Sequence, residues 1–261
     1  MLLELIDRVK LVAHEVVMPS YLKVAHERKQ DGSLFTKADL AAQEALRHEL
    51  SDLLDCPMLG EEMTEAEQRE LWRNGDEGVW CVDPIDGTSN FVNGIPYFAL
   101  SVAFMRHGRS VMGVIYDPVA DEAFYAERGR GAFLNGVELP LKERIPSLAE
   151  SIAAVDFKRI PAPLRQALGR SPPYYSHRNF GASTLEWCYV AAGRFDVYLH
   201  GGQKLWDYAA GSLILTEAGG ACATLQGTDF DAGDVWKRSV VAARTPELLA
   251  DWRTWIQSQL T

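Results

Sequence analysis

An α+β half followed by an α/β half is the fold class this sequence predicts, and three observations carry it. The N-terminal third is patterned for amphipathic helices. From Val79 to Leu134, short runs of Val, Phe, Tyr and Ile follow one another with turn residues between them. Beyond Pro146, helical and strand patterns alternate. The change near residue 145 divides the 261-residue chain into expected subdomains 1–145 and 146–261, both of ordinary domain size.

Leu2, Leu3, Leu5, Ile6, Val9, Val12, Val16 and Val17 recur at helical spacing, so a first helix is expected to end near Pro19 or a few residues beyond. Thr36 opens a second helix with Leu46, Leu50, Leu53 and Leu54 on one side, and Thr64 with Glu67 forms a capping-box pattern for a third. The strands expected next are Val79–Val82, Phe98–Met105, Val111–Tyr116, Ala123–Ala126 and Ala132–Leu134. His107-Gly108 and Asn135-Gly136 supply turn chemistry for an antiparallel meander. The second half reads as strand (Ser151–Phe157), helix (Pro163–Leu168), strand (Tyr174–His177), helix (Ser183–Ala192) and strand (Phe195–Leu199). A helix from Asp207 to Ala218, strands near Ala221–Leu225 and Ser239–Ala243, and a last helix capped by Thr245 with Pro246 at its first position complete it.

With 47% hydrophobic and 24% charged residues, the chain has the composition of a packed soluble protein rather than a disordered one. A net charge of −10 repels polyanions and argues against nucleic-acid binding. An anionic substrate would then need recruited positive charge, such as divalent cations held by carboxylates. Cys56, Cys81, Cys188 and Cys222 lack zinc spacing and read as reduced, mostly buried thiols. Glu4, Asp7 and Glu15 interrupt the apolar start, so a soluble amphipathic helix is expected there, and no stretch approaches the roughly 20 apolar residues of a membrane span. A cytoplasmic location is expected.

The densest chemical signal is Asp83-Pro84-Ile85-Asp86-Gly87-Thr88-Ser89-Asn90-Phe91, directly after a strand. Two carboxylates on one turn can converge, Pro84 stiffens the turn, and Gly87 lets the backbone approach a ligand. A helix starting near Thr88 would aim N–H groups at the same point. Taken alone, the motif is better read as an ordinary Asp-Gly turn with Asp83 as a strand-end cap. Gly60-Glu61-Glu62 reads alone as solvated charge, Asp207 in Leu205-Trp206-Asp207-Tyr208-Ala209-Ala210-Gly211 as an N-cap, and Asp39 as the acidic partner of Thr36. No GxSxG elbow and no GxxxxGK[ST] loop occurs, which argues against acyl hydrolysis and nucleotide-driven work. None of the six histidines has metal spacing; His14, His26, His48 and His107 read as structural or surface residues.

Glu61-containing GEE, then DPIDGTSNF, then WDYAAG before TEAGG, in that order from Gly60 to Gly220, resemble the inositol monophosphatase family and its lithium-sensitive relatives. Phe35-Thr36-Lys37-Ala38-Asp39 and the Gly129–Gly136 hairpin match as well. The resemblance implies an αβαβα layered sandwich of the inositol monophosphatase and fructose-1,6-bisphosphatase type, with a metal site between the halves and homodimers as the common state. It implies magnesium-dependent hydrolysis of a small phosphate monoester by direct in-line attack of water, with inhibition by millimolar lithium. Glu61, Asp83 and the Ile85 carbonyl would hold a first magnesium, and Asp83, Asp86 and Asp207 a second. A third would lean on Glu61. Thr88, hydrogen-bonded to Asp39, would orient and deprotonate the attacking water. Gly87, Thr88 and Ser89 would contact phosphate, and Gly181, Ala182, Ser183, Arg178 and Asp207 would neighbour the substrate.

His200 stands where inositol-phosphate enzymes carry a hydroxyl-accepting Glu, so the resemblance leaves the substrate open among inositol, sugar, polyol and nucleotide monophosphates. His200 itself reads either as a substrate contact or as a strand-end surface residue. The alternatives are phosphoadenosine phosphate, histidinol phosphate or fructose bisphosphate hydrolysis, or a regulatory protein that contacts transcription complexes.

Overall fold

The computed structural model describes residues 1–23, 26–28 and 34–260, with side chains throughout except at 26–28, 34 and 35. The reading of His26 as structural concerns a side chain outside those described. Helix α1 (Leu2–Val12) continues through a π turn, Ala13–Val17, and a 3-10 turn, Met18–Ser20, where Pro19 ends the helical run. Two three-residue strands, β1 (His26–Arg28) and β2 (Leu34–Thr36), form an antiparallel pair that the sequence pattern does not announce. Helix α2 (Lys37–Leu53) starts at Thr36, whose Oγ1 accepts the Ala38 N–H (3.0 Å) while Asp39 Oδ2 accepts the Thr36 N–H (2.6 Å). Strand β3 (Met58–Gly60) and helix α3 (Glu65–Asn74), which opens on the Thr64–Glu67 capping box, follow.

The meander is β4 (Val79–Asp86), β5 (Ala99–Arg106), β6 (Arg109–Asp117), β7 (Glu122–Glu127), β8 (Ala132–Leu134) and β9 (Val137–Glu138), with the short helix α4 (Thr88–Asn93) after β4. Each strand pairs antiparallel with the next, and β3 adds parallel to β4, giving one seven-stranded sheet in chain order from β3 to β9. The left-handed turns fall at His107-Gly108 and Asn135-Gly136, where Asn and Gly tolerate positive φ.

In the second half, β10 (Ile152–Asp156), α5 (Ala162–Arg170), β11 (Ser176–Arg178), α6 (Ser183–Ala191), β12 (Val197–Gln203), α7 (Leu205–Glu217), β13 (Ala221–Ala223), β14 (Arg238–Ala243) and α8 (Pro246–Ser258) follow in order. Their sheet has the order β11-β10-β12-β14-β13, with β10 parallel to both neighbours. Two of the boundaries that differ from the sequence pattern bear on the site. Strand β12 extends to Gln203 through a register shift between His200 and Gln203, because Gly201-Gly202 carry no side-chain alternation to mark a strand. Helix α7 begins at Leu205, which makes Asp207 the third helical residue rather than the N-cap: its Oδ2 accepts the Lys204 N–H at 2.8 Å.

Period-two alternation assigns the layers. Trp80 and Val82 of β4 pack outward on Leu5, Val9, Leu46 and Leu50 of α1 and α2, while Val79 and Cys81 face inward. Inside, Trp187, Ala210, Leu213 and Ile214 of α6 and α7 lie between the two sheets, against Phe124 on one side and Tyr198 and Ala242 on the other. Val155 and Leu199 face outward onto Leu164, Leu248 and Trp252 of α5 and α8. Helix pair, sheet, helix pair, sheet and helix pair make the αβαβα sandwich. The middle layer is close-set: a Cβ at Gly211 would lie 2.5 Å from Trp187 Cβ, and one at Gly113 would lie 3.0 Å from Ala210 Cα.

Candidate metal centre

Residues three apart on a regular strand point to opposite faces, so Asp83 and Asp86 could not meet on an unbroken β4. They meet because the register with β5 slips: Asp83 pairs with Ser101 but Asp86 with Ala99, three residues on one strand against two on the other. Pro84, lacking an N–H, suits the interruption. Helix α7 brings in Asp207, and carboxylate oxygens of Asp83, Asp86 and Asp207 lie within 4.8 Å of one another. Asp83 is buried, and its Oδ1 accepts the Ile85 N–H at 3.2 Å.

Supporting contacts aim each carboxylate. Thr184 donates both its N–H (2.6 Å) and its hydroxyl (2.7 Å) to Asp86 Oδ2, tying the second half to the first. The Glu61 N–H donates to the Val82 carbonyl (3.2 Å). Gln68 Nε2 donates to the Gly60 carbonyl at 2.9 Å and the Glu61 carbonyl at 3.3 Å, and Gln43 Oε1 accepts the Glu62 N–H at 3.0 Å. A side chain at Gly60 would collide with Gln43. Gln43, Gln68 and Thr184 were not legible as site residues, since each acts through a partner distant in sequence.

Burial pushes the Asp83 carboxyl well above its ordinary range, and the charges of Glu61, Asp86, Asp207 and Asp39 add to that. Asp207 is raised by burial, then by Asp86 and Glu61. Asp86 is pushed up to about 6 by burial, against hydrogen bonds from Thr184 that lower it, with Glu61 raising it further. Converging carboxylates, all oxygen donors with no thiol or imidazole among them, fit a hard divalent cation. One consequence is testable without substrate. Asp86 rises from 3.8 to about 6 on folding, and buried Glu186 from 4.5 to about 8, so the folded state holds these protons more tightly than the unfolded chain. Stability from these groups is therefore present at low pH and lost as pH rises through those folded values. The melting temperature in chelator is expected to fall between pH 5.5 and pH 8.5, and magnesium should recover it at pH 8.5. A flat or rising profile in chelator would contradict this electrostatic picture.

Gly87 adopts φ 88°, and a Cβ there would approach Ala182 Cβ (3.1 Å) and the Tyr97 carbonyl (3.2 Å), so only glycine suits both the turn and the space. Thr88 Oγ1 lies 3.1 Å from the Ile85 carbonyl and 3.4 Å from Asp39 Oδ1. Asp39 is buried in the α2 capping box, and Ser89 is exposed beside it in sequence with Thr88. Asn90 Nδ2 donates to the Tyr97 (2.8 Å) and Phe180 (2.6 Å) carbonyls, drawing Gly181, Ala182 and Ser183 against α4. Arg178 is exposed and spends one guanidinium nitrogen on Ser176 Oγ (2.7 Å) and the His177 carbonyl (2.8 Å).

His200 departs from the surface reading: it is only 4% exposed. Its Nε2 lies 3.1 Å from Asp156 Oδ2 and its Nδ1 accepts the Gly202 N–H at 3.1 Å, so both ring nitrogens are engaged within the protein. Burial raises the Asp156 carboxyl, but the His200 hydrogen bond and charge, the Lys158 N–H and the Arg159 charge together hold it below the ordinary carboxylate range. No motif marked Asp156, because its partner is one strand away.

The family model described as the inositol monophosphatase family matches residues 3–258. The chain is 35% identical over 229 residues to inositol monophosphatase 2 of Solanum lycopersicum, covering 84% of this chain and 85% of that protein. It is 34% identical over 240 residues to the Nus factor SuhB of Pasteurella multocida, covering 89% and 86%. A 40% match to the Nus factor SuhB of Haemophilus influenzae spans 63% of this chain and 62% of that protein. Among solved structures, an IMPase of Thermotoga maritima superposes with a TM-score of 0.83 at 27% identity, covering 98% and 96% of the two chains. The bulged strand that joins Asp83 to Asp86, the helix that delivers Asp207 and a match along nearly the whole sequence lead to one conclusion: this chain belongs to the inositol monophosphatase family.

Proposed function

We propose that this protein is a magnesium-dependent phosphatase that hydrolyses a small phosphate monoester, of the inositol monophosphate or related sugar and polyol phosphate class. The observation that carries the reading is the convergence of Asp83, Asp86 and Asp207 within 4.8 Å in a partly buried setting of carboxylate oxygens. Glu61, Asp83 and the Ile85 carbonyl, together with Asp86 and Asp207, are the groups that would hold the cations. Bound there, magnesium supplies the positive charge that activates a water and stabilises the departing alkoxide. The Thr88 hydroxyl, between the Ile85 carbonyl and Asp39, orients that water, and Asp39 accepts the proton passed through Thr88. N–H groups of Gly87 and Thr88, with Ser89, receive phosphate oxygens, and Gly181, Ala182 and Ser183 border the alcohol. Both ring nitrogens of His200 are engaged by Asp156 and the Gly202 N–H, so this reading gives it no direct hydrogen bond to the substrate.

The similarity to proteins named Nus factor SuhB supports a second reading, a regulatory protein that contacts transcription complexes. The complete carboxylate set favours hydrolysis as the retained activity. The deciding experiment is phosphate release from a panel of metabolite monophosphates by the purified protein. Release is expected with magnesium, loss in EDTA, and recovery when magnesium is returned in excess. Release that persists in EDTA, or no release from any panel member, would remove the proposal.

A further inference from the structure

Helix α7 turns different sides to different surroundings. Asp207 faces the metal centre and Gly211, four residues on, faces Trp187, whereas Leu205, Tyr208, Ser212 and Thr216 follow at helical spacing along another side. These four line a cavity of about 170 Å³, bounded also by the β5–β6 turn and by the segment that joins β13 to β14. The space is far more than a single water needs. Met105, Leu213 and Val235 give it apolar walls, and the exposed Arg109 and Arg128 connect it to solvent.

Arg238, at the start of β14, lines the same cavity and is only 5% exposed. Its guanidinium carbon lies 4.8 Å from the centre of the Tyr208 ring and 5.0 Å from that of Phe230, so two aromatic faces hold the group in place. Hydrogen bonding leaves it largely unsatisfied. Nη2 donates to the Asp231 carbonyl at 3.4 Å, while Nε and Nη1 make no hydrogen bond among the described residues. The Asp231 carboxylate comes no closer than 4.0 Å, Oδ1 to Nη1, and its side chain is 61% exposed. A buried cation with donors to spare carries a desolvation cost that an incoming anion would offset. None of the residues around it is a candidate metal ligand.

We propose that this cavity is a binding site for a small organic carboxylate, seated on the Arg238 guanidinium with a short apolar body against Met105, Leu213 and Val235. A planar guanidinium matches the planar carboxylate. A single negative charge suits the surroundings better than the two of a phosphate. Arg128 already gives Nε (2.9 Å) and Nη2 (2.6 Å) to the Ser110 carbonyl, and the carboxylates of Asp229 and Asp231 stand in the same wall, where they repel each added charge.

The test is a calorimetric titration of the protein in chelator, so that no cation recruits anions to the metal centre, with sodium butyrate, inorganic phosphate and sodium chloride at matched ionic strength. Butyrate is expected to bind saturably, phosphate more weakly, and chloride not at all. Arg238→Gln should weaken butyrate by about ten- to a hundredfold, the size of a hydrogen bond to a charged group. Ser212→Leu, at a half-buried position of α7, fills the cavity while leaving Arg238 and its two aromatic neighbours in place. It should abolish butyrate binding in a protein that melts close to wild type, and it decides the matter if Arg238→Gln fails to fold. Absence of saturable butyrate binding to wild type, butyrate bound unchanged by Ser212→Leu, or phosphate bound as tightly as butyrate overturns the proposal.

Discussion

Asp83→Asn is expected to reduce kcat/KM by about three orders of magnitude and, in chelator at pH 8, to raise the melting temperature. The first effect follows from position. Asp83 is the most enclosed of the three converging carboxylates, and its removal weakens the binding of charge that is worth several kcal/mol in the transition state, at roughly 1.4 kcal/mol per factor of ten. The second follows from electrostatics. Burial and the charges of Glu61, Asp86, Asp207 and Asp39 all oppose ionisation of Asp83, so a neutral isostere relieves repulsion that the metal-free fold otherwise carries. Opposite signs for activity and stability distinguish this residue from one that merely supports the fold. Steady-state kinetics with a melting curve in EDTA supply both numbers. An active Asp83→Asn protein, or an inactive one that melts lower than wild type in chelator, would refute the assignment.

Gly211→Ala is expected to destabilise the protein by about 1–3 kcal/mol, even though alanine is the better helix former by about 1 kcal/mol. Gly211 lies within α7, and its missing side chain is what lets Trp187 of α6 approach: an added Cβ would stand 2.5 Å from Trp187 Cβ in a fully buried layer. Because one kcal/mol moves the midpoint of a protein this size by roughly 2–4 °C, a drop of several degrees should be visible. Asp207 stands on the same helix, so the displacement should also weaken magnesium binding. The check is the melting temperature with and without magnesium: a variant as stable as wild type in both conditions would mean that the α6–α7 approach tolerates a methyl group.

Much of the fold was legible because it rests on local rules. The capping boxes at Thr36 and Thr64, the left-handed turns at His107-Gly108 and Asn135-Gly136, and the period-two runs of the meander each express a preference of a few adjacent residues. The β1–β2 pair escaped notice because three-residue strands are too short to show a period. The Gly201-Gly202 extension of β12 escaped because glycines have no side chains to alternate.

The site divides along the same line. The resemblance carried by motif order along the chain marked Glu61, Asp83, Asp86, Thr88 and Asp207, since each motif taken alone read as a turn, solvated charge or an N-cap. Only the tertiary structure decided that these groups meet. A one-residue register slip turns Asp83 and Asp86 to the same side, and α7, seated through Gly211 and Gly113, delivers Asp207 from more than a hundred residues away. Tertiary structure also decided that His200 is buried against Asp156 and that Thr184 holds Asp86. By itself the sequence determined the family, the layer-forming elements and the oxygen-donor character of the candidate metal ligands. The partners of those ligands lie on other strands and helices, and pairing across a fold depends on packing and register, which no local pattern records.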